Sequence, residues 1–244
     1  MTATIDPSQA GVVSPLLNEH MFVYRLTARG FAPQPAPRQE GTSSIMARIT
    51  GSNGERTAAA IRQAALRLIH AQGFAAMNLR ELAAAVGISP ASLYNHMTTK
   101  QSLLFDLMLE HMTALLEQTD AALAAAGPEP LARLEAFIGH HVLYHLERKR
   151  EVYIANFELR ALDQPNAARI IGMRHDYEAR LIALLEEGTA AGLLSLGDAR
   201  ISAYAMLAML TGVCTWYRVD GRLTRQEIVA LHTRLALEGV LRRG

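Results

Sequence analysis

One cysteine, Cys214, stands in a chain of 244 residues, so neither an intrachain disulfide nor a zinc site built on cysteines is possible. It lies inside an apolar run with no electropositive residue beside it, the setting of a buried structural thiol and not of a nucleophile. A reducing, cytoplasmic compartment is therefore expected. Aromatic residues are only 6% of the chain. Alternating Val/Ile/Thr runs and Asn-Gly hairpins are missing, which argues against a sheet. No basic-then-apolar leader opens the sequence. The uncharged stretch 201–217 includes Ser202, Tyr204, Thr211 and Thr215 and is at the lower length limit for a membrane span, so it reads as a buried helix or a subunit interface. A Gly-x-Ser-x-Gly elbow, a phosphate-cradling glycine loop and a Ser-His-Asp arrangement are absent, and no enzyme is expected.

Ala, Leu, Arg and Glu are abundant, and half of the residues are hydrophobic. This composition predicts an all-α protein. Total charge is +1 and favours no partner, but its distribution is uneven. Residues 1–45 carry three Arg and three acids, net zero. Residues 46–100 carry five Arg and one Lys against Glu55 and Glu81, net +4, and residues 101–244 hold 15 bases and 18 acids, net −3. A basic module beside an acidic body suits attraction to phosphate at one end.

Residues 1–52 read as a poorly ordered extension, rich in Pro, Gly and Ser between Gln34 and Ser44, with a weak apolar pattern over 16–31. Translation beginning at Met46 is a plainer reading of the same stretch. Helices are expected over about 54–72, 79–86, 90–95, 100–126, 130–148, 151–162, 167–191, 198–218 and 224–242. Their punctuation is Gly73, Gly87, Gly127-Pro128, Gln164-Pro165-Asn166, Gly192, Gly197-Asp198 and the capping box from Thr224 to Glu227.

The most informative segment is 79–100. Leu79, Leu82, Ala83 and Val86 form one apolar face, Gly87 supplies a left-handed helix end, Ser89 an N-cap, and Pro90 a first helical position that needs no amide donor. Two short helices crossed at a glycine turn make a helix-turn-helix, whose second helix enters the DNA major groove. With Leu93 pointing inward, Ala91, Ser92, Tyr94 and Asn95 lie on or near the outward face. Ala91 can touch a thymine methyl, and the Asn95 amide matches the edge of adenine. The Ser92 and Tyr94 hydroxyls suit phosphate. So do Lys100 at the start of a helix, Asn78 at an N-cap, and Arg56 and Arg80.

The run 55–105 resembles the tetracycline-repressor family of bacterial transcription regulators. The resemblance rests on 64–68, Gly73-Phe74, Leu79-Arg80-Glu81-Leu82-Ala83, Val86-Gly87-Ile88-Ser89, Leu93-Tyr94-Asn95-His96 and Lys100 with Leu103-Leu104. Met97 replaces a common Phe, and Met77-Asn78 a common Thr. The resemblance implies a DNA-binding domain over 53–100, with Ser89, Pro90 and His96 joining the contact set. It also implies an effector-binding and dimerisation domain over 101–244, and a homodimer paired through the last two helices on a palindromic operator in double-stranded DNA. Segments 143–147, 153–160 and 216–218 with Gly221 are similar to a branch tied to fatty-acid, steroid and acyl-CoA catabolism. That similarity implies release from the operator by a small lipid-like or acyl-CoA effector. Candidate pocket residues are Met108, Phe137, His141, Tyr144, Phe157, Met173 and Tyr177, with Arg160, Arg174 and Arg180 as candidate partners of an anionic head group. A helical lipid- or CoA-binding protein with a vestigial DNA module is the alternative. His141 and His145 share a helix face at zinc-like spacing, but no matching acid follows, so no metal and no cofactor are expected.

Overall fold

The computed structural model describes residues 52–241, with side chains from Gly54 onward, and all helical elements in that range are α-helices apart from one 3-10 turn. The reading for residues 1–51, including Met46 as a start, and for the last three residues lies outside the described residues, and Ser52, counted with the extension in the sequence reading, opens the first helix.

Helix α1 spans Ser52–Gln72. Its buried face is Ile61, Ala64, Ala65, Leu66 and Ile69, with Leu68 only partly covered. Gly73, at φ 84°, turns the chain, and Phe74 and Met77 after it are buried. Helices α2 (Leu79–Val86) and α3 (Pro90–Leu93) follow, then the long α4 (Lys100–Ala125). A capping box opens α4: Thr99 accepts from the Ser102 backbone while the Ser102 side chain accepts from Thr99 N–H. Leu103, Leu104, Leu107, Met108 and Leu115 form the buried face of α4.

Beyond Gly127 lie α5 (Pro130–Glu147), α6 (Lys149–Phe157), the 3-10 turn Leu159–Ala161 and α7 (Gln164–Ala190). Then come α8 (Ala199–Thr211), α9 (Val213–Trp216) and α10 (Arg225–Glu238). The core runs from α1 through α4, α5 and α7 to α8 and α10, with Phe137, Ile138, Ile170, Leu181, Leu185 and Leu210 fully enclosed. Helix α10 packs chiefly on α5.

Several boundaries differ from the sequence reading, and the helix expected over 90–95 already ends at Leu93. Gln164-Pro165-Asn166 is the first turn of α7 and not a break, because Asp163 caps the Asn166 amide and proline is at home in a first turn. The helix expected over 151–162 starts at Lys149 and tightens into the 3-10 turn after Phe157. The apolar helix expected over 198–218 is interrupted at Gly212, so Val213–Trp216 forms a separate turn. The Thr224–Glu227 capping box is formed, and its helix stops at Glu238.

Candidate nucleic-acid interface and effector core

The crossed pair is held by local chemistry. Asn78 caps α2, its Oδ1 accepting from Glu81 N at 2.8 Å. Gly87 sits at φ 76°, and the Ile88 amide reaches back to Ala83 O at 3.0 Å. That left-handed geometry strains any residue with a Cβ. Ser89 caps α3 by accepting from Ser92 N at 3.2 Å, and the two hydroxyls pair at 2.8 Å. Leu93 is fully buried and anchors α3, with Met97 buried just beyond it where an aromatic was expected. The chain therefore continues past α3 in turns, bonded from His96 N to Leu93 O at 2.8 Å.

With Leu93 inward, Pro90, Ala91, Tyr94 and Asn95 are exposed, Tyr94 by 58%. Ser92 and His96 are half-buried. Arg56, Asn78, Arg80 and Ser89 are exposed as well. Lys100 is more constrained than its position suggested. Its Nζ donates to Ala75 O at 3.2 Å and lies 4.5 Å from the Phe74 ring centroid. The cation thus ties the start of α4 to the turn after α1 while staying partly exposed.

In the body, five of the seven pocket candidates are buried: Met108, Phe137, His141, Tyr144 and Tyr177. Phe157 and Met173 are half-buried. Three of the buried residues meet. The Phe137 and Tyr177 rings lie 5.1 Å apart, and His141 Nδ1 is 2.9 Å from the Tyr177 hydroxyl. His141 Nε2 is 3.1 Å from Thr211 Oγ1, which brings α8 into the same network. The Tyr144 hydroxyl donates to His111 O at 3.0 Å and lies 3.3 Å from His111 Nδ1. Phe157 instead stacks on Tyr153 at 4.6 Å, and Tyr153 meets His70 of α1 edge-on at 4.8 Å.

His145 donates from Nδ1 to His141 O at 2.7 Å, which fixes its tautomer because a carbonyl only accepts. The His141 and His145 rings stack with centroids 3.8 Å apart. Burial is the main cause holding His111 down to about 3 and His145 to about 4, and it drives His141 well below its ordinary range. All three rings are neutral at pH 7, as stacking at that distance requires. Burial also raises the Tyr144 hydroxyl to about 12 and Tyr177 further still. No group of three metal-ligating side chains occurs among the described residues.

The sequence reading missed His111 and Thr211 in this network, since each is a single polar residue whose partners lie far away in the sequence. It also missed Glu158, whose Oε1 accepts from Phe74 N at 3.2 Å across 84 residues. Cys214 is half-buried, with burial raising its thiol to about 11 and the nearby Lys149 ammonium opposing that rise. No described helix is long and apolar enough to cross a membrane.

Residues 61–107 match the bacterial regulatory proteins of the tetR family, and residues 127–240 match the tetracyclin repressor-like C-terminal domain. A tetR-family regulatory protein from Rhodococcus RHA1 is 29% identical, with 78% of this chain and 99% of that one covered at a TM-score of 0.70. The transcriptional regulator PfmR of Thermus thermophilus is 28% identical, with 75% and 99% covered and a TM-score of 0.68. AibR, solved with isovaleryl coenzyme A and operator DNA, is also 28% identical, with 73% and 97% covered and a TM-score of 0.68. No curated protein matches the chain.

Proposed function

The chain belongs to the tetR family of bacterial regulatory proteins, and we propose that it is a homodimeric repressor that leaves a palindromic operator when a small lipid-like or acyl-CoA effector binds its body. Residues 53–100 form the DNA-binding unit and 101–244 the effector-binding and dimerisation unit, with 1–52 as an extension. The observation that carries this reading is the exposed surface of α3 and of the turn that follows it. Ala91, Tyr94 and Asn95 are exposed around a fully buried Leu93 among the described residues.

Asn95 and Ala91 read base edges, and Tyr94, Ser92, Arg56, Arg80 and Lys100 engage phosphates. Pro90, Ser89, Asn78 and His96 shape and flank that surface. One such helix covers only a few base pairs, so two-fold pairing is needed to reach operator affinity. An apolar stripe suits that pairing: Ile201, Ala205 and Met209 recur at four-residue steps on α8, with Trp216 of α9 and Leu235 of α10 also exposed. Support for the effector class comes from the AibR complex, whose ligand is a coenzyme A thioester. Effector and operator oppose each other because each prefers a different arrangement of the two reading heads. No catalytic role is assigned, and the work of the protein is cytoplasmic.

The test is binding of the protein to DNA from beside its own gene, in competition with a scrambled duplex. Selective binding that weakens steeply with salt is expected. Equal affinity for both duplexes would leave the alternative, a ligand-binding protein whose DNA module is vestigial.

A further inference from the structure

We propose that Lys149 is an acylation site, its ε-amine taking an acyl group from a donor whose carrier is anionic, either a coenzyme A thioester or an acyl phosphate. A covalent mark of this kind goes beyond operator reading and does not depend on it.

Lysine is almost absent from this chain: of 24 basic side chains, only Lys100 and Lys149 are amines. Lys149 opens α6, and its side chain reaches across to the end of α9. There the chain leaves helical backbone at Tyr217, where ψ is 137°, and strands the Tyr217 carbonyl beyond the last helical amide. A tight turn follows, closed by Gly221 N–H on Arg218 O at 3.0 Å, and a Cβ on Gly221 would meet that oxygen at 2.9 Å. The Lys149 amine donates to the stranded carbonyl and lies 5.0 Å from the centroid of the buried Tyr217 ring. Burial in this corner holds the amine below its ordinary proton affinity, with the Cys214 thiol opposing the shift. No carboxylate pairs with Lys149 among the described residues. Glu147, two residues before it, is taken by Arg225 at 3.2 Å. Lys100, with a carbonyl and a ring as its own neighbours, is the natural standard for comparison.

Only a free amine attacks an acyl carbon, so desolvation that favours the neutral form makes Lys149 the better nucleophile. Donating one N–H to a carbonyl leaves the nitrogen lone pair open. That pair forms the C–N bond, while the bond from the acyl carbon to the carrier's sulfur or phosphate oxygen breaks. Its electrons leave with the carrier, which takes up the proton that the nitrogen loses. The products are a neutral amide and a free thiol or phosphate, and no oxidant or reductant is consumed. Cys214, three residues before Tyr217, is the poorer acceptor, because burial raises its thiol to about 11 and leaves little thiolate. Arg148 and Arg150 flank the amine in sequence and are exposed. Guanidinium forks hold phosphate by two parallel bonds, which selects a donor whose carrier bears phosphate. Acylation takes the cation off the Tyr217 ring and leaves one N–H for the carbonyl.

Mass spectrometry of the full chain exposed to acetyl-CoA, acetyl phosphate or the neutral S-ethyl thioacetate tests the site. Lys100 is the standard within the same molecule, which cancels the donors' differing reactivity, and cleavage at glutamate keeps the flanking arginines with Lys149. Lys149 should gain its acetyl group several-fold faster than Lys100 with every donor, and the ratio should be higher for an anionic donor than for the neutral one. A higher ratio with acetyl-CoA alone assigns the nucleotide carrier, and one with both assigns phosphate itself. Arg148→Gln combined with Arg150→Gln should bring the anionic donors down to the neutral ratio. Lys149→Arg should lose the mark and leave the rate at Lys100 unchanged. Lys100 keeping pace with Lys149, or an adduct confined to Cys214 and stripped by hydroxylamine, overturns the site. One ratio for all three donors overturns the choice of carrier. Operator binding enters none of these measurements, so failure of the regulator reading would leave them untouched.

Discussion

Lowering the pH from 7.5 to 5.5 should unfold this protein far more readily, and the buried histidines set the size of the effect. His111, His141 and His145 are neutral in the fold, with affinities for protons well below the ordinary value of 6.5. In the unfolded chain each recovers that value. Between about pH 4 and 6.5 the unfolded state therefore binds more protons, so stability rises with pH across this window and is complete above it. One unit below 6.5 the cost is about 1.4 kcal/mol for each ring and about 4 kcal/mol for the three. That is a large part of the 5–15 kcal/mol typical of a folded domain, and about 10 °C in melting temperature. His70 and His140, also held down by burial, act in the same sense. Glu178 and Asp106, raised by burial, act oppositely over ranges that run upward from their unfolded values of 4.5 and 3.8, and so offset part of the effect. Arg174 and Arg148 beside His111 reinforce the neutral ring. Urea titrations at pH 7.5, 6.5 and 5.5 measure the slope, and His111→Phe should remove about a third of it whatever it does to absolute stability. Stability that is flat or rising as the pH falls through this window would refute the reasoning.

Three further outcomes are expected. Tyr94→Ala should weaken binding to all duplexes and flatten its salt dependence, whereas Asn95→Ala should relax preference at one base position by about 1–3 kcal/mol; fluorescence anisotropy on a panel of singly substituted operators separates the two. Ile201→Asp together with Leu235→Glu should convert the dimer to monomers in sedimentation and abolish operator binding while leaving helix content intact. Gly188→Ala should destabilise by about 1–3 kcal/mol in thermal melts, because its Cβ would lie 2.6 Å from Leu194 Cδ1 and 2.8 Å from Cγ within the core.

The parts legible from the sequence are those decided by neighbours a few residues apart. Gly87, Ser89-Pro90, Thr99 and the Thr224–Glu227 box all do in the fold what their spacing demands, since caps draw on amides within one turn. The outward and inward positions of α3 follow likewise from helical periodicity around Leu93. Gln164-Pro165-Asn166 misled because proline can open a helix as well as end one, and Asp163, the residue before the triplet, tips the balance. Gly212 gave no clear warning of a break because a lone glycine is tolerated inside a helical pattern, and its backbone here stays near helical at φ −54°. The bonds that shape the body were not legible. His141 meets Tyr177 and Thr211, 36 and 70 residues away, and Glu158 meets Phe74 at 84. Such pairs are selected by how helices pack, which no local pattern encodes. Lys100 shows the same limit at the interface, where tertiary structure gives it a carbonyl and a ring before any phosphate.

A hydroxyl-radical footprint of the wild-type protein on DNA beside its own gene is the most direct measurement of whether α3 reads an operator as half of a symmetric pair. Two protected patches on one face of the duplex, one helical turn or a whole number of turns apart and related by a two-fold axis, are expected. They should fade as salt is raised. A single patch, or protection spread evenly along the duplex at every salt concentration, would contradict it.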